Sequence, residues 1–176
     1  MGSTDEPIPA PAPEGTEPPE HWRYARHLDA LAAAAAGVPA AGGRAPAEAE
    51  ACAVAAVLRD PDPVMAESAV VTHVDRRAAR LLHSDGFADW AAAMSAAVAG
   101  RAFAAGRLRE WLLLEAVVRG EPGSAEELAR ASDWCQRTAV RVPVPEEALV
   151  LLAGSARTRL VRNGAVQRLR RASATA

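Results

Sequence analysis

Four histidines, two cysteines and a few clustered carboxylates are the residues of this chain able to ligate metal, attack an electrophile or move protons. His21, His27, His73 and His83 form neither HxxxH nor HExxH, and the spacings among them do not place two ligands on one helical face. No metal or cofactor is expected, and the histidines read as solvent-facing or helix-end residues. Cys52 and Cys135 lack a CxxC partner, and no GxSxG or cysteine-protease signature is present, so both read as small buried apolar residues. The Gly100–Gly106 segment has neither lysine nor a preceding strand, and no Walker or GxGxxG sequence cradles a phosphate. Asp85 with Asp89, and Glu126 with Glu127, are carboxylate pairs, but both fall at predicted helix N-termini, where the dipole favours acids. Trp22, Trp90, Trp111 and Trp134 could line a cleft; at helical spacing among leucine and methionine they read as the large pieces of a core. No catalytic constellation emerges.

Nucleic acid is the alternative that the charged residues raise. Glu126 to Arg141, EELARASDWCQRTAVR, superficially resembles a helix-turn-helix, with Gln136, Arg137, Thr138 and Arg141 on the recognition helix. Against it, Asp133 stands where a turn glycine is usual, followed by Trp134 where a smaller aliphatic residue is expected. Arg157, Arg159, Arg162, Arg168 and Arg170 follow with no acid between them and could contact phosphates. They read equally as the solvated face of a terminal helix.

The elements that would position these groups are helical. The chain has 176 residues, suited to one domain with a sizeable core. Half of it is apolar, but alanine dominates that half and aromatics make up only 4%. Every basic residue is arginine and isoleucine occurs once, at Ile8. This favours helices over sheets and points to a GC-rich, bacterial-like genome. A net charge of -2 argues against a surface wholly devoted to nucleic acid or anionic lipid. Without a signal peptide, a membrane-length apolar run or a cysteine framework, a reducing cytoplasm is the expected location, with no membrane partner.

Met1 to Pro19 is acidic and proline-rich and is expected to be a disordered tail. A helix is expected from there to Ala36, ended by Gly37, and a second from Pro46 to the Asp60-Pro61 stop. Asp62-Pro63 should cap a longer helix whose buried face is Val64, Val71, Val74, Ala78, Leu81 and Leu82. Ser84 or Asp85 should cap the helix of Phe87, Trp90 and Met94. Arg101 to Arg119, apolar nearly all round, should be the central helix, with Trp111 buried. Ser124 with Glu127, and Asp133 with Gln136, read as capping boxes of two short helices. Pro145 opens a further helix closed by Gly154, and Ser155 or Thr158 opens the last. The single domain is expected over residues 20–172, with 173–176 a disordered end.

Three of these helices share a text. DWCQRTAV (Asp133 to Val140) recurs as RLVRNGAV (Arg159 to Val166), and PVMAESAV (Pro63 to Val70) has the same layout, each with an alanine placed for close docking: Ala139, Ala165 and Ala69. Short paired helices and the text RLVRNGAVQRL resemble HEAT-type repeats, most clearly from Glu126 to Leu169 and again around Asp62 to Val74. That resemblance implies an all-α fold of stacked helical hairpins, a short and irregular α-solenoid. It also implies a non-catalytic scaffold that binds a protein or peptide, and carries over no catalytic residues.

Overall fold

The computed structural model describes residues 20–37 and 46–175, with side chains over 22–37 and 46–174; the expected tail of residues 1–19 lies outside them. The described residues form helices and no strand: α1 (Glu20–Ala35), α2 (Pro46–Val57), α3 (Pro63–Leu81), α4 (Phe87–Ala97), α5 (Ala102–Arg119), α6 (Ser124–Arg130), α7 (Asp133–Ala139), α8 (Glu146–Ser155) and α9 (Arg159–Thr175). The fold is all-α. Helix α9 continues through Thr175, beyond the Ala172 at which the sequence reading ends the domain.

The proline starts are as expected. Asp62 Oδ1 accepts from the backbone N–H groups of Val64 (3.1 Å) and Met65 (3.0 Å), with Pro63 in the first helical position. Three other starts differ. Ser132, one residue before the expected Asp133, caps α7 by accepting from the Cys135 N–H at 3.2 Å. Gly123 precedes α6, and Ser124 Oγ donates backwards to the Glu121 carbonyl at 2.7 Å, so no capping box with Glu127 forms. Helix α4 follows Gly86 without a side-chain cap; Ser84 Oγ is taken by the Leu81 carbonyl at 2.9 Å. Helix α5 is capped from another helix: Glu67 Oε1 on α3 accepts the N–H groups of Phe103 (3.1 Å) and Ala104 (3.0 Å). The turn from α5 to α6 needs glycine, since Gly120 and Gly123 sit at φ 69 and 79. Gly154, expected to close α8, lies inside it.

Each helix packs mainly on the next and on the next but one. The pairs in contact are α1–α2, α1–α3, α2–α3, α2–α4, α3–α5, α4–α5, α5–α6, α5–α7, α6–α7, α6–α8, α7–α9 and α8–α9. One continuous core runs from Leu31 to Ala165. Helix α5 touches α3, α4, α6 and α7, as its broad apolar surface predicts, and Trp111 is only 3% exposed. The apolar surface is not wholly covered, because Phe103 and Leu112 face solvent. On α3 the buried phase is Met65, Ala66, Ala69, Val70, Val71, His73, Val74 and Ala78, whereas Val64, expected inside, is 75% exposed.

The repeated text has a structural counterpart. Ala69, Ala139 and Ala165 are fully buried, and four residues before each lies another buried residue: Met65, Cys135 and Val161. In the two later copies the next position reaches back to the preceding helix end. Gln136 Nε2 donates to the Leu128 (3.2 Å) and Ala129 (2.8 Å) carbonyls of α6, and Arg162 donates to the Ala156 carbonyl after α8 at 2.6 Å. Gln136 Oε1 then accepts the Arg157 N–H at 3.0 Å, joining the α6–α7 pair to α8–α9.

A polar joint lies inside the α2–α3–α4 contact. Glu50, 1% exposed, accepts at Oε1 from Trp90 Nε1 (2.8 Å), meets His73 Nε2 there at 2.8 Å, and accepts at Oε2 from Arg77 Nε (3.2 Å). Burial pushes the Glu50 carboxyl up. The hydrogen bonds from His73 and Trp90 and the charges of His73 and Arg77 outweigh it, so the group sits below its ordinary value. His73 is thus a buried partner, not the solvent-facing residue expected. His27 is also engaged, 2.9 Å from Asp60 Oδ2. The Asp62 N–H, His27 and Arg23 together hold Asp60 below the usual carboxylate range despite some desolvation.

Candidate functional site

A concavity of about 640 Å³ opens between the N-terminal half of α5 and the α6–α7 pair. Its α5 wall includes Phe103, Gly106, Arg107, Glu110 and Leu113, which share one helical face, with Ala102 and Arg109 beside them; its other wall is Glu127, Ser132, Asp133 and Trp134. Phe103 is 59% exposed there, an uncovered aromatic at the rim.

Arg107 organises the floor. Its Nη1 donates to Asp75 Oδ2 at 2.6 Å and its Nε to Glu110 Oε2 at 3.2 Å, while its guanidinium carbon lies 3.7 Å from the centre of the Trp134 ring and 5.7 Å from that of Phe103. This cation–π stacking fixes the aromatic walls in place. Trp111 supports the floor from beneath, donating Nε1 to Asp75 Oδ1 at 2.8 Å and meeting Trp134 edge-on, with centroids 5.5 Å apart. Burial raises the Asp75 carboxyl, and the Trp111 hydrogen bond and Arg107 charge only partly counter it. Glu110 also accepts from Ser132 Oγ, tying α5 to the start of α7.

Within the cleft, Arg107 and Glu110 are paired, and among the described residues Arg109 and Glu127 form no ion pair. Asp133 Oδ1 is enclosed and accepts no hydrogen bond from the described residues, with Arg157 Nε 3.8 Å away. The arrangement suits binding of a group that is apolar on one side and polar on the other. The buried Cys135 thiol beneath it is pushed up to about 12 by desolvation and by Glu110. Among the described residues, no group of three or more His, Cys, Asp or Glu side chains has the disposition to hold a metal ion.

The arginines named for nucleic acid do not form one surface of free cations. Arg168 donates to the Ala139 and Val142 carbonyls, Arg162 to Ala156, and Arg157 lies near Asp133. Arg137, Arg141, Arg159 and Arg170 are exposed. Gln136, on the recognition helix of the alternative reading, is fully buried. Arg137 makes no ion pair with Glu146 or Glu147 among the described residues.

Three sequence readings of potential site residues change. Cys52, read as buried, is exposed. Trp134 lines the cleft in addition to packing on Trp111, and Trp22 is exposed. Phe103, in the Arg101–Arg119 stretch expected to be the central helix, is the rim of the site. Its signal was the length of the α5 apolar pattern: one turn more apolar than its neighbours can cover. No described helix is long and apolar enough to cross a membrane. Comparison with protein-family models, with curated proteins and with solved structures finds no match to this chain.

Proposed function

We propose that this protein is a non-catalytic, HEAT-like helical scaffold of the cytoplasm that receives a partner protein or peptide in the cleft between α5 and α7. The packing of each helix on its next and next-but-one neighbours is what stacked helical pairs produce, and it supports an α-solenoid reading. The buried pair repeated at Met65/Ala69, Cys135/Ala139 and Val161/Ala165 supports it independently. The observation that carries the binding role is the cleft itself: an exposed Phe103 beside a Trp134 ring clamped by Arg107, at a volume suited to one or two anchoring side chains. This reading is preferred to nucleic acid because Gln136, Arg162 and Arg168 are occupied by backbone groups.

Affinity capture from extracts of the native host, with and without nuclease, tests it. The wild-type chain and a Phe103→Asp variant with unchanged Tm are compared. A protein retained by the former and lost by the latter, insensitive to nuclease, is the expected result. Equal retention by both chains, or retention that nuclease abolishes, would refute the assignment of the cleft.

A further inference from the structure

A second, smaller recess of about 50 Å³ lies on the opposite part of the chain, between α1 and α3. Its α3 wall is His73, Arg76, Arg77 and Arg80, and its α1 wall includes Ala32 and Ala35. The positions i, i+3, i+4 and i+7 put all four basic residues on one stripe of α3. Among the described residues no acid lines the recess. The spacing is costly in isolation, since like charges at i, i+4 repel along a helix.

The charge is only partly balanced from within. Glu50, behind the stripe, takes the Nε of Arg77 and the Nε2 of His73, which accounts for one negative charge. Among the described residues, Arg76 and Arg80 have no ion-pair partner and both are exposed. The C-terminal end of α1 beside Ala35 contributes about half a negative charge, less than the two remaining cations carry. Among the described residues Arg77 donates only its Nε, to Glu50, so its side chain is anchored while its terminal nitrogens have no partner. An anchored guanidinium flanked by two exposed ones is an arrangement that suits a tetrahedral oxyanion, whose oxygens match the forked N–H geometry. The small alanines of α1 leave the room, and the recess is large enough for one such group.

We propose that the α1–α3 recess is a binding site for a single phosphate-type anion, held by Arg76, Arg77 and Arg80. The ligand class is a phosphate monoester or a free phosphate compound, or the same group presented as a lipid headgroup. The site is independent of the α5–α7 cleft and of the arginines after Arg137.

Titration calorimetry of the full chain at low ionic strength, with inorganic phosphate and then pyrophosphate as probes, tests it. The expected result is saturable one-to-one binding, weakened at least about tenfold by Arg76→Ala/Arg80→Ala and changed less than about twofold by Arg137→Ala/Arg141→Ala, which removes the same charge elsewhere. Both pairs are exposed, so neither endangers the fold. Vesicles containing phosphatidic acid that compete with pyrophosphate would make a headgroup the source; failure to compete would make it a soluble phosphate compound. Absence of saturable binding by either probe overturns the proposal, as does equal weakening by the two variants. Retention of a DNA duplex without binding of free anion overturns it as well, because polymer charge would then suffice.

Discussion

Replacing Glu50 by glutamine keeps the shape of the α2–α3–α4 joint and removes its charge. The carboxylate is engaged by Trp90 and His73 at 2.8 Å and by Arg77 at 3.2 Å. A carboxamide keeps one accepting oxygen for the Trp90–His73 side and turns an N–H₂ group toward Arg77, so a charge-assisted bond is exchanged for two facing donors. Loss of such a bond in a buried site costs about 1.5 to 3 kcal/mol, and the stranded donors raise the total to about 2 to 4 kcal/mol. For a chain of this size that is a Tm lower by on the order of 10 °C. The pH dependence is the sharper test. Because the folded-state pKa of Glu50 lies below its ordinary value of 4.5, its contribution is fully present above that value and is lost as pH falls through the folded one. Urea unfolding of wild type and Glu50→Gln at a series of pH values should therefore show a gap that is constant near neutrality and narrows in acid. A gap that is small at pH 7, or that does not narrow in acid, would refute the claim that Glu50 is an ionised joint.

Three other outcomes are expected. Trp111→Ala should cost about 3 to 5 kcal/mol through lost transfer energy and a residual cavity; Trp22→Ala, at a position 60% exposed, should shift Tm far less, and equal small shifts would contradict the packing described. Gly164→Ala should stabilise α9 by about 0.5 to 1 kcal/mol, since the added Cβ would meet Val140 Cγ2 at 3.5 Å, an ordinary contact; thermal melts decide the sign. With Cys135 buried and raised to about 12 and Cys52 exposed, iodoacetamide at pH 8 should label Cys52 in the native protein and Cys135 only after unfolding, as peptide mass spectrometry would show.

The helices were legible because prolines, glycines and apolar spacing act within a few residues of where they are written. Asp62-Pro63 is such a local signal, and the docking alanines of the repeated text are another. What escaped was long-range. Glu50 on an alanine-rich helix reads as a solvated acid, and its partners lie 23, 27 and 40 residues away. Nothing near His73 announces Glu50, and nothing near Phe103 announces that α3 caps its helix through Glu67. The caps at α6 and α7 failed for a subtler reason: Gly123-Ser124 and Ser132-Asp133 each offer two adjacent candidates, and the neighbouring chain decides between them. The cleft was hidden for the same reason. Whether Phe103 and Trp134 fill a core or edge a hollow depends on how far α7 stands from α5, a distance no local pattern encodes.

Gln136 has a consequence for how the chain comes apart. One carboxamide binds the end of α6 on one side and the first residue after α8 and its turn on the other, in addition to the packing of α6 on α8 and of α7 on α9. In a chain whose principal contacts join near neighbours, opening can begin at one end without disturbing the other. Gln136 is then the latch of the last segment: with it in place α8 and α9 should exchange their amide hydrogens in step with α6 and α7, and with Gln136→Ala they should exchange ahead of them, while α1 to α5 keep their protection.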